Sequence, residues 1–241
     1  PWDLARFTGG SSSGSGGATA AFLCASSLGE DTGGSVRGPA AWCGLTGLRP
    51  TWGRVSRYGL RPGMWSMDTI GPLTRTVEDC AITLQAIAGR DPKDPYTWDV
   101  PVPDYQARLD ADITGKRIGV VKELTHGQFA EPEVRNAVSQ AADSLASLGA
   151  QVEEVSIPLA SHANTISSIL RVEAPTNYRE LIRTRLREIN HDNRIAYLTW
   201  SLTPALAYYK ALKLRALLRQ QVLEALKTYD VLLMPTMGIA A

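Results

Sequence analysis

The sequence predicts an α/β fold, and three observations along the chain lead there. The first is a strand–helix–strand unit. Arg117-Ile118-Gly119-Val120-Val121 is a short apolar run suited to a buried strand. Glu133 to Leu148 then carries Val134, Ala137, Val138, Ala141, Leu145 and Leu148 at helical spacing, and Gly149 ends it. Val152 to Ile157 alternates apolar and polar residues, as a half-buried strand does. The second observation is a capped helix. Thr76-Val77-Glu78-Asp79 has an N-cap threonine and an acidic third residue, opening a helix to about Ala88, which Gly89 closes. The third is the mainly helical last third. Leu181 to Ile189 and Leu206 to Leu226 keep apolar residues three and four apart, and Val231-Leu232-Leu233-Met234 reads as a late strand ended by Pro235. Nearer the start, Ala18 to Ala25 reads as a small-residue helix entered from a glycine-rich loop, and Pro92, Pro95, Pro101 and Pro103 mark a connection.

Composition narrows the function classes. The 241 residues are 44% hydrophobic and 20% charged, which suits a globular chain with a sizeable core and excludes a disordered one. The 25 basic and 24 acidic residues nearly cancel and form no basic run, so no nucleic-acid footprint is expected. Arg179, Arg183, Arg185 and Arg187 interleave with Glu180 and Glu188 and read as a solvated helix face. Cys24, Cys43 and Cys80 are odd in number and widely spaced, which argues against a disulfide framework and for a reducing, cytoplasmic setting. His126, His162 and His191 are too scattered for a metal cluster, and no apolar stretch reaches membrane-spanning length. The chain begins at Pro1 and ends just past an apolar run, so it reads as an internal piece of a longer protein.

Two glycine–serine stretches carry the chemistry. The first is Gly9-Gly10-Ser11-Ser12-Ser13-Gly14-Ser15-Gly16-Gly17, and the second is Gly29-Glu30-Asp31-Thr32-Gly33-Gly34-Ser35-Val36-Arg37. Alone, the first shares its composition with a flexible linker. A linker does not run into an apolar helix and then a further Gly-Gly-Ser flanked by Asp31 and Arg37. Acyl transfer accounts for the second stretch. A serine hydroxyl is a weak nucleophile and needs a base within hydrogen-bond reach. The oxyanion formed on attack needs N–H groups aimed at one point, each worth about 2.7–4 kcal/mol of transition-state stabilisation. Thr32, Gly33, Gly34 and Ser35 can supply such donors, because glycine permits unusual backbone angles and close approach. No histidine lies near either stretch in sequence, so the residues alone do not identify the base.

These stretches, 24 residues apart from Ser11 to Ser35, continue as GEDTGGSVRGPAAWCGLTGLRPTWGRVSRYG, then SMDTIGPLTRTVEDC at 66–80 and AGRDPKD at 88–94. Together they resemble the amidase signature family over about residues 2 to 105, with weaker agreement at Asp230 to Thr236. The resemblance implies an α/β/α sandwich around a mixed sheet. Residues 1–241 would be the central part of one amidase domain, with 1–105 as its signature core. Residues 106–241 would hold the βαβ unit, the helical region and the late strand. It also implies a Ser–cis-Ser–Lys triad: Ser35 as the acylated nucleophile, Ser11 as the relay after a cis Gly10–Ser11 bond, and a lysine upstream of the first stretch. Lys93, Lys116, Lys122, Lys210, Lys213 and Lys227 all lie downstream, so the isolated chain is expected to be inactive. The main-chain amides of Thr32, Gly33, Gly34 and Ser35 match the oxyanion hole. Asp31 and Arg37 read as braces of the loop, with Arg37 alternatively contacting substrate. Cys43 matches a packing position, and Thr8 and Ser13 stand where many members have proline and glycine.

Three functional readings follow from the resemblance. One is a stand-alone amidase that splits a carboxylic amide into acid and ammonia or amine. The second is the glutaminase component of the glutamine-dependent tRNA amidotransferase. The third, of a different class, is a catalytically silent scaffold on the same fold. Gly38 and the run Trp65-Ser66-Met67-Asp68-Thr69 depart from the amidotransferase pattern and favour the first. A small-molecule amide is the expected substrate, with no cofactor, no metal, no direct nucleic-acid contact and no membrane. The expected protein partner is a second copy in a homodimer or the other amidotransferase subunits.

Overall fold

The computed structural model describes residues 2–126 and 129–241. The α/β class holds, and the chain divides into two compact units, one of residues 1–61, 66–112 and 239–241, the other of 62–65 and 113–238.

The first unit contains α1 (Ser13–Ala20), β1 (Ser26–Asp31), α2 (Arg37–Cys43), β2 (Thr46–Gly47), β3 (Thr69–Thr74) and α3 (Val77–Ile87). Its strands form an antiparallel sheet in the order β1-β3-β2, with Asp31 opposite Thr69 and Gly29 opposite Gly71. Leu73 in the central strand packs with Val36 and Ala40 around a small core that Leu45 flanks. The helix expected from Ala18 begins instead inside the glycine–serine run, at Ser13. Packing overrides the low helix propensity of glycine there: a Cβ on Gly16 would lie 3.0 Å from Pro39 Cβ, so α1 can rest closely on α2. The helix ends at Ala20 because the chain swings through Phe22, at φ 61°. Arg75 Nη1 fixes that turn by donating to the carbonyls of Thr19 (3.0 Å) and Cys24 (2.8 Å). The Thr76 cap forms as expected, its hydroxyl accepting from the Asp79 N–H at 3.0 Å.

The second unit contains β4 (Arg117–Val121), α4 (Lys122–Thr125), α5 (Pro132–Ser147), β5 (Gln151–Val155), α6 (Ala163–Leu170), α7 (Glu173–Asn177), α8 (Arg179–Thr184), α9 (His191–Ser201), α10 (Ala205–Ala225) and β6 (Val231–Leu233). The crossover through α5 brings β5 back parallel to β4, and β6 joins the other edge of β4 in parallel. Where the resemblance implies one mixed sheet, the described strands thus fall into two three-stranded sheets, one antiparallel and one parallel. β5 ends at Val155, short of the expected Ile157. Ser156 and Ile157 turn instead toward Glu123, whose carboxylate accepts from the Ser156 hydroxyl and from the Ile157 N–H at 2.9 Å. The helix expected over Leu181 to Ile189 is interrupted at Arg185 (φ −135°), and Leu186–Glu188 form a 3-10 turn. Val121, Ile157 and Ala160 make the core of this unit under Leu218 and Val222 of α10. Among the described residues, no helix is long and apolar enough to cross a membrane.

Candidate active site

The first unit brings the two glycine–serine stretches together. Ser12 N–H donates to the Ser35 carbonyl at 3.1 Å, so the residue after Ser11 is tied directly to Ser35. The Gly10–Ser11 peptide bond, implied to be cis, is cis. Ser11 is exposed and Ser35 half-buried. Gly29, which opens the second stretch in β1, packs closely between the first stretch and Val36: a Cβ there would come within 2.9 Å of Ser12 Cβ and 2.9 Å of Val36 Cγ2. Nothing larger than hydrogen fits between them.

Ser35 stands on the loop from β1 to α2, and one carboxylate organises that loop. Asp31 is fully buried. Its Oδ1 accepts from the Gly34 N–H at 2.7 Å, and its Oδ2 accepts from the N–H groups of Val36 (3.2 Å) and Arg37 (3.3 Å). The Arg37 guanidinium grips both carboxylate oxygens, Nε and Nη2 each at 3.0 Å, the two-point geometry that makes arginine–carboxylate pairs strong. Arg49 adds a second cation, its Nε 3.4 Å from Asp31 Oδ1. Burial alone would push the Asp31 carboxyl up, but the Arg37 hydrogen bonds and charge, with the Gly34 and Val36 amides, outweigh it and hold the group below its ordinary value.

This geometry bears on each residue singled out from the sequence. Arg37 is engaged with Asp31 while its side chain remains 43% exposed. Gly34 sits at φ 124°, a backbone that side-chain-bearing residues rarely adopt, and its N–H is directed at Asp31. Thr32 is tethered by its side chain, the hydroxyl donating to Asp68 Oδ1 at 2.6 Å. Cys43 is fully buried, and burial pushes its thiol up, as suits a packing residue. Elsewhere in this unit, the Arg57 guanidinium lies 4.5 Å over Trp52, whose ring is tilted 55° to that of Tyr96 at 5.8 Å, and Lys93 lies 5.1 Å over Tyr58. Arg49 and Asp68 join the site although the sequence pattern assigns them no role, and Gly29 joins it as a packing contact rather than only as the first residue of its stretch. For Asp68 a signal exists: a carboxylate directly before the apolar run Thr69-Ile70-Gly71-Pro72-Leu73 must be either exposed or partnered, and it is fully buried. Among the described residues, no group of three or more His, Cys, Asp or Glu side chains could hold a metal ion.

Comparison with known proteins agrees with this picture. The Amidase family model matches residues 1–241. The A subunit of the glutamyl-tRNA(Gln) amidotransferase of Roseiflexus sp. is 44% identical over 98% of the chain and 53% of that relative. Among solved structures, a chain from a vestigial protein complex that bears on the origins of an s-triazine catabolic enzyme superposes with TM-score 0.92 at 35% identity, covering 100% of this chain and 52% of that one. The corresponding amidotransferase subunit of Thermotoga maritima gives TM-score 0.79 at 35% identity, covering 98% and 53%. The chain spans about half the length of the relatives it matches. The matched motifs, the fold and the family model converge: the chain belongs to the amidase signature family.

Proposed function

We propose that the protein carrying this chain hydrolyses a carboxylic amide through an acyl-enzyme on Ser35, with Ser11 as proton relay. The observation that carries the reading is the main-chain hydrogen bond from Ser12 to Ser35, which joins the two stretches on which the family chemistry depends. A neutral lysine from outside these residues takes the Ser11 proton, and Ser11 takes that of Ser35. Ser35 Oγ then bonds to the amide carbon. Collapse breaks the C–N bond, the nitrogen leaves with a returned proton, and water hydrolyses the resulting ester to release the acid and restore Ser35. Because the Gly34 N–H already serves Asp31, the oxyanion falls to the N–H groups of Thr32, Gly33 and Ser35. Arg37 acts chiefly through Asp31, and its exposed part is the portion left to meet substrate.

Within that chemistry, the relatives favour glutamine as the amide and ammonia delivered to partner subunits, since the 44%-identical protein belongs to an amidotransferase. The stand-alone reading rests on Gly38 and on Trp65-Ser66-Met67-Asp68-Thr69, which depart from the amidotransferase pattern. Reaction in the cytoplasm accords with either. Ammonia release from glutamine and from simple acyl and aryl amides separates the two, measured with and without B- and C-type subunits. Glutamine turnover that rises with the subunits supports the amidotransferase reading, turnover of simple amides by the protein alone supports the other, and neither activity defeats both.

A further inference from the structure

We infer that Asp68 is a positioning residue that orients the Thr32 oxyanion donor, acting through the Thr32 hydroxyl; this rests on the proposed amide hydrolysis. The peptide unit joining Asp31 to Thr32 is held from two sides. Its carbonyl oxygen accepts from Thr69 Oγ1 at 3.1 Å and from Arg49 Nε at 3.3 Å. In a planar trans peptide the N–H points opposite the carbonyl, so fixing that oxygen fixes the direction of the Thr32 N–H. The Thr32 side chain is fixed separately, by the 2.6 Å hydrogen bond that its hydroxyl donates to Asp68 Oδ1. Threonine is stiff about χ1, so holding its hydroxyl also holds its Cα. Asp68 is fully buried. Asp68 is also the immediate neighbour of Thr69, which pairs with Asp31 in the sheet. One corner of β3 thereby locks the first residue of the donor segment from its carbonyl side and its side-chain side together. Arg49 ties that corner down further by donating to the Met67 carbonyl at 2.5 Å. A donor aimed in advance acts without reorganisation when the oxyanion forms, and displacement by about 1 Å can cost on the order of 100-fold in rate.

The test compares Thr32→Val, which keeps the shape and the N–H but loses the hydroxyl, with Thr32→Ser, which keeps the hydroxyl. In the enzyme that carries this chain, Thr32→Val is expected to lower kcat roughly ten- to a hundredfold with KM little changed, and Thr32→Ser to recover most of that loss. Asp68→Asn should lower kcat in the same sense, and the Thr32→Val/Asp68→Asn pair should fall well short of the product of the two effects. Amide hydrogen exchange over residues 32–35 gives a readout that needs no turnover: faster in Thr32→Val, restored in Thr32→Ser. Unchanged kcat and exchange in Thr32→Val, or no recovery with serine, overturns the inference. A wild-type enzyme that splits no amide defeats the functional reading instead, and exchange alone then decides the role of Asp68.

Discussion

The segment that carries Ser35 and the segment that carries Ser11 meet at one main-chain hydrogen bond, yet they are held in place by different physics. Around Ser35 the loop is pinned by buried charge: Asp31 binds three backbone N–H groups and two arginines, and Asp68 binds Thr32. Around Ser11 the restraint is close packing, with Gly16 pressed on Pro39 and Gly29 on Ser12, joined by neutral hydrogen bonds such as that from the Ser15 hydroxyl to the Leu28 carbonyl at 2.9 Å. The Ser35 segment should therefore respond to charge and pH, and the Ser11 segment to volume.

The largest expected effect comes from removing the charge. Asp31→Ala leaves Arg37 and Arg49 without their shared carboxylate and three N–H groups without an acceptor. A loss of about 3–5 kcal/mol is expected, the range for breaking a buried ion pair from one side. Urea unfolding followed by tryptophan fluorescence measures it. A change under about 1 kcal/mol would mean the loop is held by packing instead.

Next comes the shared steric contact. Gly29→Ala forces a methyl against both Ser12 and Val36, and overpacking of this kind costs about 1–3 kcal/mol. It should also separate the two stretches. A crystal structure of the variant in which the Ser12–Ser35 hydrogen bond survives unaltered would contradict that view.

The pH response separates the two segments more finely. The folded-state pKa of Asp31 is depressed, so its contribution is fully present above the unfolded carboxylate value, near 4, and fades as pH falls through the folded one. Unfolding midpoints taken from neutral to strongly acid pH should fall for the wild type. They should fall less steeply for Asp31→Asn, which carries no titrating group at that position. Equal slopes would remove Asp31 as the source of the acid sensitivity.

The smallest effect lies outside both segments. Thr76→Ala removes the cap of α3 and should cost about 1 kcal/mol, read by thermal unfolding, without altering the chemistry of Ser35. A loss of reactivity at Ser35 in this variant would show that the two segments depend on α3 in a way their own contacts do not reveal.

How much of the molecule is legible in the sequence follows the same division. Local patterns locate β4, α5 and the Thr76 cap to within a residue or two, because apolar spacing and a capping side chain act over a single element. The start of α1 is not legible in this way: the pattern points to Ala18 and the helix begins at Ser13, because only packing against α2 makes a glycine run helical. The brace between Asp31 and Arg37 can be read from proximity in the chain. The bond between Thr32 and Asp68 cannot: it spans 36 positions, and only the register of β1 on β3 brings them together. The packing role of Gly29 is hidden for a related reason, since a glycine in a strand does not announce which side chains press on it.

The most direct measurement is fluorophosphonate labelling of the protein that carries this chain, with mass spectrometry locating the adduct. The expected result is a single adduct on Ser35, absent in Ser35→Ala and markedly slower to form in Ser11→Ala. An adduct on another residue, or labelling of Ser35 at an undiminished rate without the Ser11 hydroxyl, would contradict the account.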